Sequence, residues 1–242
     1  MTIPNDLPAA TSGWRDLIEL ALAEDVGNGD ITTLATIPAQ ATATGTLHAK
    51  EAGILSGVDV AEAVFAIVDP AIGFETVCHN GDEISPGDTI ARLSGPARSL
   101  LTAERTSLNI LQRLSGVATT TARYVAATAG TKARIVDTRK TTPGMRMLEK
   151  RAVLHGGGHN HRFGLADGVL IKDNHLAAIG GDHPVRDAVA AARALAPHTM
   201  KIEIEVTTLD ELDEALAAGA DIVMLDNMDN ATMTEAARRR DQ

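Results

Sequence analysis

The chain has 242 residues, 44% hydrophobic and 2% aromatic, with a formal net charge of −10. That length supports one large domain or two smaller ones around an aliphatic core, and the acidic balance argues against general affinity for nucleic acid. Its single cysteine, Cys78, excludes an internal disulfide and fits a reducing cytoplasm. No stretch approaches the roughly 18 apolar residues of a membrane span, and "MTIPNDLPAATSGW" has neither the basic nor the apolar part of a signal peptide.

In chain order, "SGWRDLIELALAEDVGNGD" predicts a helix capped by Ser12 or Thr11 and closed by glycines. "ATGTLHAKEAG" alternates like a strand, and "VDVAEAVFAIVDP" reads as a helix stopped by Pro70. "GFETVCHNGDEISPGDTIARLSGP" predicts two short strands around the turns Asn80-Gly81-Asp82 and Pro86-Gly87-Asp88. From Arg98 to about Ala129 runs a long helical pattern, expected to break or pack tightly at Gly116.

Beyond it, four apolar runs alternate with helical patterns: "RIVD" at 134–137, "VLIK" at 169–172, "IEIEV" at 202–206 and "DIVML" at 221–225. Helices are predicted near 145–155, 185–195 and 209–218. Strands alternating with helices imply βαβ units and a parallel sheet. In a βα barrel the carboxyl ends of the strands converge on the active-site face. Here those ends carry Thr138-Arg139-Lys140, then Lys172-Asp173-Asn174, Glu203 with Glu205, and Asp226-Asn227. Charge often begins where a single strand leaves a core, but four such ends with matched signs favour a site.

Residues 132–175 hold nine of the 22 Lys and Arg residues against four acids, and four of the eight histidines. This stretch is therefore net positive by 9 − 4 = 5 in a chain that is otherwise acidic. Arg139, Lys140, Arg162 and Lys172 suit a ligand with more than one anionic group, Arg as a planar fork and Lys as a compact charge. Gly156, Gly157 and Gly158 are expected to supply backbone freedom that brings amides near an anion. His155, His159 and His161 cluster, but without helical register or cysteine they make a weak zinc site. His161, beside Arg162, is the ligand donor of the three, and the other two are structural. Glu205 and Asp226 at neighbouring strand ends could bind Mg²⁺ or ribose hydroxyls, or stabilise a cationic transition state. Strand alternation puts Glu203 on the face of Glu205 and does not say which meets the ligand.

The motifs "EDVGNGDITT", "EAGILSG", "TAERTSLNILQRLSGVAT", "DTRKTTPGMR", "GGGHNHRFGLADGVLIKDNH", "IEIEV" and "IVMLDN" together resemble quinolinate phosphoribosyltransferase, also called nicotinate-nucleotide pyrophosphorylase (carboxylating), over nearly the whole chain. The resemblance implies an α/β protein: a small N-terminal α/β sandwich domain with its connecting helix at 1–115, then an incomplete, open α/β barrel at 116–242. It implies transfer of phosphoribosyl from phosphoribosyl pyrophosphate to quinolinate with Mg²⁺, giving nicotinate mononucleotide, pyrophosphate and CO₂ for NAD synthesis. It further implies that Arg139, His161, Arg162 and Lys172 hold quinolinate, with Thr138 and Lys140 lining the same pocket. Lys140, Glu205 and Asp226 would be catalytic, the two carboxylates near the ribose and its metal. Arg105 resembles the arginine that reaches across a homodimer into the partner's site; by itself it reads as an ordinary helix-surface residue.

The same resemblance implies two further strands after "LDN", with loops for the phosphoribosyl phosphate, so C-terminal strands are expected to be missing from these 242 residues. Two alternatives follow: a related type II phosphoribosyltransferase-like protein with another substrate, or a truncated, non-catalytic binding or dimerisation protein. No partner beyond small molecules and a second copy is expected, and neither nucleic acid nor membrane.

Overall fold

The computed structural model describes residues 11–241, and its contacts divide into two units, Met1–Phe163 and Gly164–Gln242.

The first unit begins with α1 (Thr11–Val26) and α2 (Ile31–Thr36). The cap expected at Thr11 or Ser12 falls on side chains outside the described residues. Asp30 caps α2 by accepting from the Thr33 N–H at 2.9 Å. Then come β1 (Thr42–His48), β2 (Gly53–Ile54), α3 (Val58–Val68), β3 (Gly73–Thr76), β4 (Glu83–Ile84) and β5 (Thr89–Pro96). β5 lies between β1 and β3, antiparallel to both, while β2 pairs with β4. The segment 73–96 therefore holds three strands rather than the expected two. Asp82 and Asp88 close its two turns, each accepting at 2.7 Å from the N–H three residues earlier.

α4 (Ala97–Ala127) is the spine of this unit, and α5 (Arg146–His155) packs on it. Buried residues recur along α4 at 103, 106, 107, 110, 111, 114, 118 and 121, the three-and-four spacing of one helical face. That face meets Ile18 and Leu22 of α1, Val60 and Val64 of α3, and Leu148 and Ala152 of α5 in one core. Neither the break nor the tight packing expected at Gly116 occurs. α4 runs through it unbroken, and a Cβ there would meet nothing within 4 Å, because this glycine lies on the exposed face.

Residues 134–137 also depart from expectation. They form no strand, only a single parallel bridge from Val136 to His159.

The second unit contains β6 (Val169–Ile171), α6 (Asp173–Ile179), α7 (Pro184–Leu195), β7 (Ile202–Val206), α8 (Leu209–Ala217), β8 (Ile222–Leu225) and α9 (Asn230–Arg240). Its three strands form a parallel sheet in the order β6-β7-β8, as the alternating pattern predicts. Ile202, Ile204 and Val206 are wholly buried on one face of β7, against Val185, Val189, Leu212 and Ala215 from the helices. Thr208 and Glu211 make a reciprocal capping box at the start of α8.

Candidate functional site

In the first unit the segments 135–137 and 159–161 are joined side by side. His159 N–H donates to the Ile135 carbonyl at 2.8 Å, and Asp137 N–H donates to the His159 carbonyl at 3.0 Å. Five residues singled out in the sequence continue from this seam: Thr138, Arg139 and Lys140 from one segment, His161 and Arg162 from the other. Thr138 Oγ1 accepts from the Lys140 N–H at 3.0 Å, which turns the chain after the seam. Thr138 and Lys140, with Asp137 and Ile135, line an open cleft of about 790 Å³ whose other wall is α4, from Gln112 and Arg113 to Tyr124. Arg139 is half-buried, and its Nε is a buried donor with no acceptor among the described residues. His161 and Arg162 are half-buried.

α5 supports the seam with groups that the sequence reading did not single out. Lys150, 3% exposed at its side chain, donates to Asp137 Oδ1 at 2.5 Å and to the His161 carbonyl at 3.3 Å. Glu149 accepts from Arg113 of α4 at 2.8 Å and from Thr142 Oγ1 at 2.7 Å and N–H at 3.1 Å. Burial works to raise the Glu149 pKa, but the hydrogen bonds from Arg113 and Thr142 outweigh it and hold the carboxyl below its usual range. Arg151 pairs with Asp59 of α3 at 2.6 Å. Lys150 and Arg151, two of the nine cations of this segment, are therefore spent on internal ion pairs.

The glycine run has a different role from the one expected. The amides of Gly156, Gly157 and Gly158 donate to Ala152, Leu154 and Val153 carbonyls and are not offered to an anion. Gly156 and Gly158 instead let α5 close on α4: a Cβ on Gly156 would lie 2.3 Å from the Ala118 carbonyl oxygen, and one on Gly158 would lie 2.7 Å from Thr121 Cγ2. His155 Nδ1 is 2.7 Å from Ser56 Oγ, and burial followed by the nearby Arg151 charge lowers its pKa, so this histidine is a neutral packing element. His159 serves the seam through its backbone. No group of three or more His, Cys, Asp or Glu suited to a metal occurs among the described residues.

In the second unit Lys172, Glu205 and Asp226 stand at one end of the parallel sheet. The register places Ile171 opposite Ile204, so the next residues, Lys172 and Glu205, are neighbours, and they form an ion pair. Asp226 follows β8, its N–H donating to the Val206 carbonyl at 2.9 Å and its Oδ2 accepting from Asn227 Nδ2 at 2.8 Å. Asn227 sits at φ +53°, the only described non-glycine residue at positive φ, which marks a tightly bent strand end. Glu203 is buried deeper along β7. Glu205, half-buried at the strand end, is thus the more accessible of the two acids. Arg105 is exposed on α4 and does not line the cleft; the neighbouring Thr106 is buried and donates to Asp25 Oδ2 at 3.2 Å.

The profile of the quinolinate phosphoribosyl transferase N-terminal domain matches residues 30–115, and that of the C-terminal domain of the same family matches residues 117–242. The chain belongs to the quinolinate phosphoribosyl transferase family. It is 46% identical over 230 residues to the nicotinate-nucleotide pyrophosphorylase [carboxylating] of Mycobacterium leprae, covering 94% of this chain and 80% of that protein. It is 43% identical over 226 residues to the probable nicotinate-nucleotide pyrophosphorylase [carboxylating] of Bacillus subtilis, covering 93% and 76%. The solved structure of NadC from Streptococcus pyogenes superposes with a TM-score of 0.87 at 44% identity, over 93% of this chain and 79% of that one. The family therefore accounts for the α/β fold and for the motifs around the 135–161 seam and the end of the parallel sheet. Asp137, Glu149 and Lys150 are what sequence reasoning passed over. The available signal was two adjacent charges, Glu149 and Lys150, inside the helical pattern that also buries Leu148 and Ala152.

Proposed function

We propose that the chain transfers the phosphoribosyl group of phosphoribosyl pyrophosphate to quinolinate, with decarboxylation, to give nicotinate mononucleotide, pyrophosphate and CO₂. The observation that carries the reading is Arg139, whose buried Nε has no acceptor among the described residues, at the end of a seam that also presents Lys140, His161 and Arg162. An unmet buried guanidinium donor is costly, and a ligand carboxylate would satisfy it with a charge-assisted hydrogen bond. Quinolinate brings two adjacent carboxylates.

In this reading Arg139, His161, Arg162 and Lys172 hold the dicarboxylate, Thr138 and Lys140 line its pocket, and Lys140 serves the reacting centre. As the bond from C1′ to pyrophosphate breaks, its electron pair leaves with pyrophosphate and positive charge grows on the ribose. Glu205 and Asp226 stabilise that charge. The pyridine nitrogen then attacks C1′. With the ring nitrogen now cationic, the bond from the ring to the 2-carboxylate breaks, CO₂ departs, and the electron pair left beside N⁺ takes up a proton. Glu205 and Asp226 are the carboxylates that would hold Mg²⁺, a cation commonly bound through one or two carboxylate side chains. Bound there, Mg²⁺ would neutralise the departing pyrophosphate.

The same reading makes the enzyme a homodimer in which Arg105 serves the neighbouring site, supported by the exposure of Arg105 on α4. It takes the β6-β7-β8 sheet as part of an open α/β barrel, supported by the adjacent parallel order of successive strands. The two family matches support a division near residues 115–116 into a sandwich domain and a barrel domain, although packing groups residues up to Phe163 together. No described helix is long and apolar enough to cross a membrane, and the single cysteine supports a cytoplasmic setting.

The test is direct. The purified protein with quinolinate, phosphoribosyl pyrophosphate and Mg²⁺ should yield nicotinate mononucleotide and CO₂ in equal amounts. CO₂ without nucleotide, or no product at all, overturns the assignment.

A further inference from the structure

We infer that the buried Asp137–Lys150 pair is a positioning device for quinolinate. It fixes the seam that carries the binding cations and keeps a fixed carboxylate from competing for them. The inference rests on the function proposed above.

Asp137 is placed between two segments that must hold their register. Its Oδ1 accepts from Lys150 Nζ at 2.5 Å and from the His161 N–H at 2.8 Å. The Asn160 side chain, with its amide nitrogen turned toward Asp137, donates to Oδ2 at 2.8 Å and to the Lys150 carbonyl at 3.0 Å. Lys150 also donates to the His161 carbonyl. One carboxylate thus ties residues 160 and 161 to residue 137, and one ammonium from α5 ties both to the helix. Both side chains are nearly sealed from water, Lys150 at 3% and Asp137 at 7% exposure. Arg139 lies two residues beyond Asp137, and Arg162 one residue beyond His161. Any slip of the seam moves the two guanidiniums relative to one another, and bidentate recognition tolerates little such movement.

The charges matter as well as the geometry. A buried carboxylate that has lost its counter-ion is an uncompensated charge. Two residues before Arg139 in the chain, and bonded to His161 just before Arg162, it would compete with the substrate for these arginines and would repel a dicarboxylate. Lys150 removes both effects by neutralising Asp137 from the side of α5. Lys150 is therefore a positioning residue that acts through Asp137.

The experiment compares the wild type, Lys150→Met, and the double variant Asp137→Asn/Lys150→Met, in which the uncompensated charge is absent. Quinolinate Kd is measured by calorimetry, and KM for each substrate by turnover. The expected result is a quinolinate Kd at least about tenfold weaker in Lys150→Met, a KM for phosphoribosyl pyrophosphate within about threefold of wild type, and recovery of most of the quinolinate affinity in the double variant. Equal losses for both substrates, or a double variant no better than the single one, would mean that the pair only holds the fold and would overturn the inference. If Lys150→Met does not fold, the folded double variant decides: near-wild-type quinolinate affinity supports the charge argument, and a loss beyond about tenfold overturns it. A wild-type protein that binds quinolinate tightly without turnover sinks the function proposed above while this binding comparison still stands. A wild type that does not bind quinolinate sinks both.

Discussion

Arg113 of α4 grips Glu149 of α5 at 2.8 Å, and the same carboxylate takes both the hydroxyl and the amide of Thr142. This joins the helix that walls the cleft to the helix that supports the seam, and it pins the loop between Lys140 and α5. Because the folded state holds the Glu149 pKa below its ordinary value, the unfolded state binds the proton more readily. The stabilisation is therefore complete above the ordinary glutamate range and disappears as pH falls through the folded-state pKa. Thermal unfolding followed from pH 7 toward pH 3 should show this loss, and Glu149→Gln should flatten that part of the curve. At neutral pH the substitution should cost about 1–2 kcal/mol, toward the modest end because the Arg113 side chain is 54% exposed. A Glu149→Gln curve parallel to wild type throughout would remove Glu149 from the acid response.

Two glycines, Gly116 within α4 and Gly158 in the segment that follows α5, should respond in opposite directions. Gly158→Ala places a methyl group 2.7 Å from Thr121 Cγ2 and 2.8 Å from Val153 Cγ1, so the α4–α5 seam must open and stability should fall by about 1–3 kcal/mol. Gly116→Ala has open space in the middle of α4 and should gain about 0.5–1 kcal/mol through helix propensity. Urea denaturation of the two variants decides; destabilisation by Gly116→Ala would mean that a neighbour needs that surface bare.

Legibility in the sequence followed the range of the interactions. α1, α3, α4, α5, α7 and α8 were readable because their apolar residues repeat with helical spacing, and β7 because Ile202, Ile204 and Val206 alternate with acids. "RIVD" misled because its apolar run has only a single bridge, to His159, and no strand partner. α6 escaped notice because it opens directly on Asp173 after β6, with His175 rather than a Ser, Thr or Asp side chain serving its cap. In the site, Arg139, Lys140, Arg162 and Lys172 were legible from the local surplus of basic residues, and only Arg105 needed the motif resemblance. The ones spent on Asp137, Glu149 and Asp59 could not be told from them, since a sequence does not distinguish a lysine facing solvent from one 3% exposed beside an aspartate.

The ligand role of the arginines is separable from their place in the fold. Arg139→Ala should weaken quinolinate binding by about 1.5–3 kcal/mol, the loss of a charge-assisted pair, while removing a buried donor that has no partner among the described residues. Stability should therefore change little or rise as affinity falls. Calorimetry and thermal unfolding on one preparation test both halves; unchanged affinity would take Arg139 out of the pocket.

Arg105 calls for a test that single variants cannot give, because loss of activity in Arg105→Ala is compatible with a residue acting in its own subunit or in its partner's. In a twofold dimer each interface residue meets the same surface of the other copy, so a trans-acting Arg105 and a cis-acting Lys172 belong to different chains of one working site. Lys172 is fixed in its own chain by the ion pair to Glu205. Mixing inactive Arg105→Ala subunits with inactive Lys172→Ala subunits should create heterodimers in which one site has lost both groups and the other has kept both. Activity should therefore reappear with subunit exchange, rise as exchange proceeds and saturate well below the wild-type level. Exchange can be followed independently by differently tagged subunits and native mass spectrometry. Demonstrated heterodimers with no recovered turnover would mean that Arg105 serves its own subunit or none, and the shared-site reading would have to be abandoned.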